Sequence, residues 1–440
     1  MTSEKKLDYT DILKFWAPLA MMWTVMSLEM PVINAVVARM SFPKENLAIF
    51  GVVFSISLII EGPIIQMLSA ATALSSNYSS YKKLSRFLFF SVFILTSIHL
   101  LCAAPGVFNF IAKNLLNLQD DFIYPARISF LIMLPWTSAI GYRRMWQGVL
   151  IRDGRTYAVT SIMIIRIIVT ISVLFTGFFL TEMRGSYIAS LSLSAGVTAG
   201  ALAAGLFASS TIRKRKAEEI DSPNNSSVTW SYLIIFYAPL ALTSFVTMAN
   251  RPIISAGITR GLFPVESLAS WPVVLSFVFL FQSIPLSFQE AAIALISDKN
   301  RKKLKNSITG IGAASAAAFL AAVITPFGRK IFLSLISGLP DYLIDISLRP
   351  LLLMTLVSFA APAIAWLRAV NIRKGTTANI AWAVAVNLSI VSLTLAVINI
   401  FFSISGIMAA ALSYTAAVCA EALFLTLMTG KKIISDSPQA

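Results

Sequence analysis

Long apolar stretches, each of about 20 residues or more, recur from one end of the chain to the other with short polar segments between them. The pattern predicts helical spans at 12–40, 47–74, 86–112, 124–150, 156–180 and 187–211. A second set follows at 232–260, 268–296, 304–328, 346–371, 377–402 and 404–430. A hydrocarbon core of about 30 Å takes about 20 apolar residues in helical form. In lipid a helix is the simplest structure that satisfies all of its own backbone polar groups. The predicted fold class is an all-α polytopic membrane protein with twelve transmembrane helices.

The second six spans restate the first. FWAPLAMMWTVMSLEMPVINAVVAR (15–39) and FYAPLALTSFVTMANRPIISAGITR (236–260) align without a gap at an offset of 221 residues. The same offset carries FPKENLA (42–48) onto FPVESLA (263–269) and IRDGRT (151–156) onto IRKGTT (372–377). Six is an even number, so both halves enter the membrane from the same side. They are parallel repeats about an axis along the membrane normal, with a central cleft between them. The expected domains are an N-terminal six-helix lobe, 1–211, and a C-terminal one, 229–440. The stretch TIRKRKAEEIDSPNNSSV (211–228) between them reads as a flexible cytoplasmic connector.

Composition agrees with the pattern. Of 440 residues, 57% are hydrophobic and 12% charged, against about 25% charged in soluble domains; mean hydropathy is +0.79. The net charge of +15 raises the question of nucleic acid, but the placement of the charge answers it. Twenty Lys and Arg fall in the termini and even-numbered loops, among them Lys82, Lys83, Arg152, Arg155, Arg213–Lys216, Lys299–Lys303 and Arg373. Only Lys44, Lys113, Arg184, Arg329 and Lys330 fall in the odd-numbered loops. This positive-inside bias predicts cytoplasmic termini and no nucleic-acid partner. Cys102, Cys419 and the single histidine, His99, lie in apolar runs, and there is no metal-ligand cluster or nucleotide-binding G-x-x-x-x-G-K-[ST] loop. No cofactor and no enzymatic activity are expected.

The strings FWAPLA, FYAPLAL and RPIISAGITR resemble the progressive ankylosis protein family. That family is similar in fold to the multidrug and toxic-compound extrusion transporters, with twelve helices in two V-shaped lobes of six. The resemblance implies export of organic or phosphate-bearing anions such as citrate, pyrophosphate or nucleotides. The short, basic chain reads as a bacterial homologue: a multi-pass monomer of the inner membrane, surrounded by lipid.

Ionisable residues inside spans are costly, so each is a functional candidate. Ser244, Thr247, Arg251, Ser255 and Thr259 recur at steps of three or four and share one helical face. Pro252 frees a backbone carbonyl one turn earlier and predicts a bend. The expected substrate-binding set is Arg251, Asn250, Thr247, Ser255, Arg166 and Arg143. For Arg143, Arg144 and Arg368, snorkelling to headgroups is an equal alternative; for Arg166, an interhelical ion pair is. Glu29 aligns with Asn250, next to Arg251, which suggests that the two charges face each other across the cleft. Glu61 aligns with Gln282, and Glu290 ends a stripe through Ser276, Ser283 and Ser287. Glu29, Glu61 and Glu290 are the expected ion-coupling residues for H+ or Na+, with paired structural charge as the alternative. Glu421 sits among apolar sequence neighbours and has less support. The small-residue runs 194–205 and 309–319 read as helix packing. Four functions compete: an anion-exporting secondary transporter, an H+- or Na+-coupled cationic drug antiporter, a flippase for a phosphate-linked lipid, and a non-transporting membrane scaffold.

Overall fold

A computed structural model describes residues 7–116, 118–221, 228–326 and 341–429. Residues 222–227 of the predicted connector lie outside it, as do Lys5, Lys6, Arg329, Lys330, Lys431 and Lys432. The described chain is helical. In order the helices are α1 (Tyr9–Val37), α2 (Pro43–Glu61), α3 (Met67–Leu74), α4 (Tyr78–Ala103), α5 (Pro105–Phe110), α6 (Asp120–Ile132), α7 (Leu134–Arg152) and α8 (Thr156–Leu180). There follow α9 (Gly185–Asp221), α10 (Trp230–Ile258), α11 (Pro264–Leu295), α12 (Arg301–Ile324), α13 (Asp341–Arg373), α14 (Ala378–Phe401) and α15 (Gly406–Thr429). Eleven candidate spans among the described residues are long and apolar enough to cross a membrane, counting α2–α3 and α6–α7 as one each. With the 29 residues of α1 there are twelve helical spans of sufficient length.

The predicted spans coincide with these helices except at two places. The third starts earlier than expected, at Tyr78, because Asn77 caps it by accepting from Ser80 N at 2.8 Å. It stops at Ala103 because Pro105 holds Ala104 in an extended conformation, at ψ 137°; α5 and one π-helical turn, Ile111–Leu115, follow. The second difference is the connector. Its basic half is helical, since α9 continues through Asp221.

The two halves share backbone detail as well as sequence. Phe42 and Phe263, each preceding a proline at a helix start, both sit at φ 53°, a left-handed conformation that bulky residues rarely adopt. The IRDGRT and IRKGTT turns both place glycine at positive φ, Gly154 at 79° and Gly375 at 74°. In each, the next residue donates back to the last helical turn at 2.9 Å, Arg155 N to Leu150 O and Thr376 N to Asn371 O. This is a glycine-terminated helix end.

They differ in continuity. In the first half Gly62-Pro63 interrupts the second span: α2 ends at Glu61 and a 3-10 turn, Gly62–Ile64, leads toward α3. The Tyr237 hydroxyl donates to Pro63 O at 2.6 Å, satisfying a carbonyl at the break. The fourth span breaks at Met133, ahead of Pro135. The corresponding helices of the second half, α11 and α13, run unbroken despite Pro272, Pro285, Pro350 and Pro362.

The chain forms two compact units. One is Thr24–Tyr237; the other joins the chain up to Trp23 to the chain from Ala238 onward. Side-chain contacts explain the second grouping. Leu7 N donates to Asn300 Oδ1 at 2.9 Å, Lys303 Nζ reaches Asp8 Oδ1 at 3.1 Å, and Trp16 Nε1 donates to Ser287 Oγ at 2.8 Å. The hydrogen bond from Lys303 holds the Asp8 carboxyl below the ordinary carboxylate range. In the first unit, basic residues that carry the topology signal also close helix ends. Arg152 donates to Thr72 O and Ala73 O at 2.9 and 2.6 Å, and Arg215 donates to Ser75 O, so the last carbonyls of α3 are satisfied.

Candidate functional site

In the first unit the intramembrane charges are gathered, and two of them, Arg166 and Glu29, form an ion pair. Arg166 of α8 forks onto Glu29 of α1: Nε donates to Oε1 at 3.0 Å and Nη2 donates to Oε2. Thr170, one turn on, donates to the same Oε1 at 3.2 Å. Both charged side chains are 4% exposed. α8 comes this close to α9 because Gly196 and Gly200 face it. A Cβ at Gly196 would collide with Thr170 Oγ1, and one at Gly200 would meet Arg166 Cβ at 3.3 Å and Arg143 Cδ of α7 at 3.2 Å. The packing reading of the run 194–205 thus acquires a purpose: it seats the ion pair. Arg143 is buried rather than snorkelling, and donates to Gln147 Oε1 at 3.2 Å. Glu61, at the end of α2, accepts from Trp136 Nε1 of α7, so the two broken spans meet through their breaks. Arg143 lies in the field of Arg166, Arg144, Glu29 and Glu61. Three guanidinium groups face two carboxylates. His99 is structural, with Nε2 2.9 Å from Phe130 O and its ring stacked on Phe130.

The second unit holds a cavity of about 670 Å³. Thr247, Asn250, Arg251, Ile254 and Ser255 of α10 form one wall, and Trp271, Leu275, Phe279 and Gln282 of α11 another. Arg368 of α13, Asn387 of α14, and Tyr414 and Glu421 of α15 complete its polar lining. Arg368 Nη2 donates to Glu421 Oε1. Asn387 Nδ2 donates to Glu421 Oε2 at 3.0 Å, and Asn250 Nδ2 donates to Asn387 Oδ1 at 3.0 Å. A single polar chain therefore links four helices. Arg251 stands outside it and makes no hydrogen bond or ion pair among the described residues. Two arginines and one glutamate line the cavity, an excess of one positive charge.

The expected site residues divide between these two places. Arg251, Asn250, Thr247 and Ser255 line the cavity, whereas Arg166, paired with Glu29, and Arg143, which donates to Gln147, belong to the charged cluster of the first unit. Arg166 and Thr170 occupy both oxygens of Glu29. Glu290 is buried on α11 outside the cavity lining, and of its stripe only Ser276 reaches the cavity. Sequence reading undervalued Glu421: its apolar neighbours in sequence hide Arg368, 53 residues earlier, and Asn387. It also missed Asn387. The offset of 221 could have found it, since Asn250 and Asn387 occupy the positions that Glu29 and Arg166 hold in the first half. Each pair is separated by 137 residues.

No protein-family model matches the sequence, and no curated protein does. Solved structures do match over nearly the whole length. A MATE transporter of Vibrio cholerae superposes with a TM-score of 0.73 at 15% identity, covering 95% of this chain and 98% of that one. A MOP superfamily transporter from Pyrococcus furiosus, described by the reverse polarity of its binding pocket, gives 0.72 at 12% identity, covering 96% of each chain. An outward-facing multidrug resistance MATE family transporter gives 0.71 at 12% identity, covering 96% of this chain and 95% of that one. The chain has the MATE transporter fold. At these identities the fold is what is shared. The MATE fold has twelve spans, in agreement with the eleven candidate helices plus α1.

Proposed function

We propose that the chain is a secondary transporter that exports small organic or phosphate-bearing anions by alternating access, with the anion bound in the cavity of the second unit. The observation that carries this reading is Arg251: a guanidinium with no hydrogen bond or ion pair among the described residues, in a cavity with an excess of positive charge. A lone arginine in a membrane is costly unless it meets water or an anion. Its planar fork suits a carboxylate or phosphate. The resemblance to the progressive ankylosis family points the same way. The Pyrococcus furiosus neighbour, described by the reverse polarity of its binding pocket, supports the idea that one fold carries pockets of different polarity. Proteoliposomes preloaded with a radiolabelled organic anion should release it, and unlabelled carboxylates and phosphates should compete. No release of any anion would remove the reading.

A second reading, an H+- or Na+-coupled antiporter of cationic drugs, has its own support in the multidrug resistance neighbour and in the buried Glu29, Glu61 and Glu421. Expulsion of cationic dyes from cells, with no effect of anions, would favour it over the first. In either reading the chain is a transporter and not an enzyme. The sequence halves 1–211 and 229–440 are read as its two lobes, joined by 212–228, in a monomer of the bacterial inner membrane with both termini cytoplasmic. A reporter fused at Gly185, where α9 begins, should then read outside. A cytoplasmic signal there would reverse the topology.

A further inference from the structure

The polar chain across the cavity has a direction that is fixed at one end. Glu421, ion-paired to Arg368, is a carboxylate that only accepts hydrogen bonds. Asn387 must therefore turn its NH2 toward Glu421, which leaves Asn387 Oδ1 facing α10. Asn250 must in turn donate its NH2 to that oxygen. A flipped amide at either position would set oxygen against oxygen. The group left over is Asn250 Oδ1. It is buried, takes no partner among the described residues, and belongs to a residue that is 9% exposed, lines the cavity and adjoins Arg251 in sequence.

The equivalent pair in the first unit leaves nothing over. Arg166 and Thr170 occupy both oxygens of Glu29. An unanswered buried acceptor is unfavourable, and its natural complement is a donor brought by something that enters the cavity. We propose that Asn250 is a specificity-determining residue. The anion bound here carries an O–H or N–H donor close to its charged group. Asn250 Oδ1 accepts from that donor, directly or through one bound water, while Arg251 takes the charge. Hydroxy acids and polyol phosphates meet this requirement; simple dicarboxylates and alkyl phosphates do not. The inference rests on the cavity being an anion site and adds a condition on which anions it prefers.

The test measures equilibrium binding to the purified full chain in lipid nanodiscs with two probe pairs: malate against succinate, and glycerol 3-phosphate against propyl phosphate. Each pair keeps the anionic groups and removes the hydroxyls. The wild type should favour the hydroxylated member by at least about tenfold, because a site built around a hydrogen bond strongly rejects an analogue lacking it. In Asn250→Leu the ratio should fall to about one. Glu421→Gln supplies a second reading that does not depend on the folding of the first variant. A glutamine can either accept from Asn387 or donate to it, so the chain loses its direction and the ratio should shrink. Equal affinities within both pairs in the wild type overturn the inference and leave the anion site standing. An undiminished ratio in either variant also overturns it, since Asn250 would then be only a helix-packing amide. Failure of all four probes to bind overturns the anion reading together with the inference.

Discussion

Arg251→Ala, reconstituted at the same protein density as the wild type, is expected to lose anion transport by roughly one to two orders of magnitude. A hydrogen bond to a charged group contributes about 1.5–3 kcal/mol, and each 1.4 kcal/mol is about a factor of ten. Arg251→Lys keeps the charge but not the planar fork, so its loss should be intermediate. The protein itself should survive both changes. Arg251 makes no ion pair among the described residues, so its removal strands no buried carboxylate there. Rates at matched protein density, together with the elution profile of the purified variants, check this. Normal transport by well-folded Arg251→Ala would take Arg251 out of the site, and a protein that no longer folds would make it a structural residue.

The opposite outcome is expected at the ion pair between α1 and α8. Glu29 and Arg166 are both buried, and each is the other's ionic partner. Removing one side of such a pair leaves a lone buried charge, at about 3–5 kcal/mol. Arg166→Ala should therefore lower the thermal stability of the detergent-purified protein sharply. Glu29→Asn combined with Arg166→Asn, which copies the amide pair of the second unit, should recover much of the loss. Glu29→Gln tests the coupling role as well. If Glu29 carries the coupling proton, the variant that remains folded should show an altered pH dependence of transport. A variant that loses stability but keeps the wild-type pH profile would leave Glu29 as the anchor of α1 alone.

Periodicity and charge alternation were enough to read the spans, because helix length in lipid is set by the bilayer rather than by tertiary contacts. The third span was misplaced because Lys82, Lys83 and Arg86 look like loop residues, yet they lie within α4 behind the cap at Asn77. The breaks at Gly62-Pro63 and Met133 were legible only in part. Proline also occurs at Pro272 and Pro285, where α11 continues. At the site, the α10 stripe was readable because its members sit one turn apart on one helix. Arg368, Asn387 and Glu421 come from three helices, and no local pattern brings them together. The repeat offset was the one long-range signal in the sequence. It pointed to matching positions, but not to the exchange of an ion pair for an amide pair at those positions.

That exchange constrains how the two halves could have diverged after duplication. Whichever pair came first, a single codon change at one position would place an amide opposite a buried charge. The intermediate would carry the penalty of that lone charge, about 3–5 kcal/mol, a large share of the stability of an ordinary fold. The positions aligned at 29 with 250 and at 166 with 387 therefore form one heritable unit in each half. A lineage that crossed from one state to the other needed either both changes close together or a stabilising change beforehand.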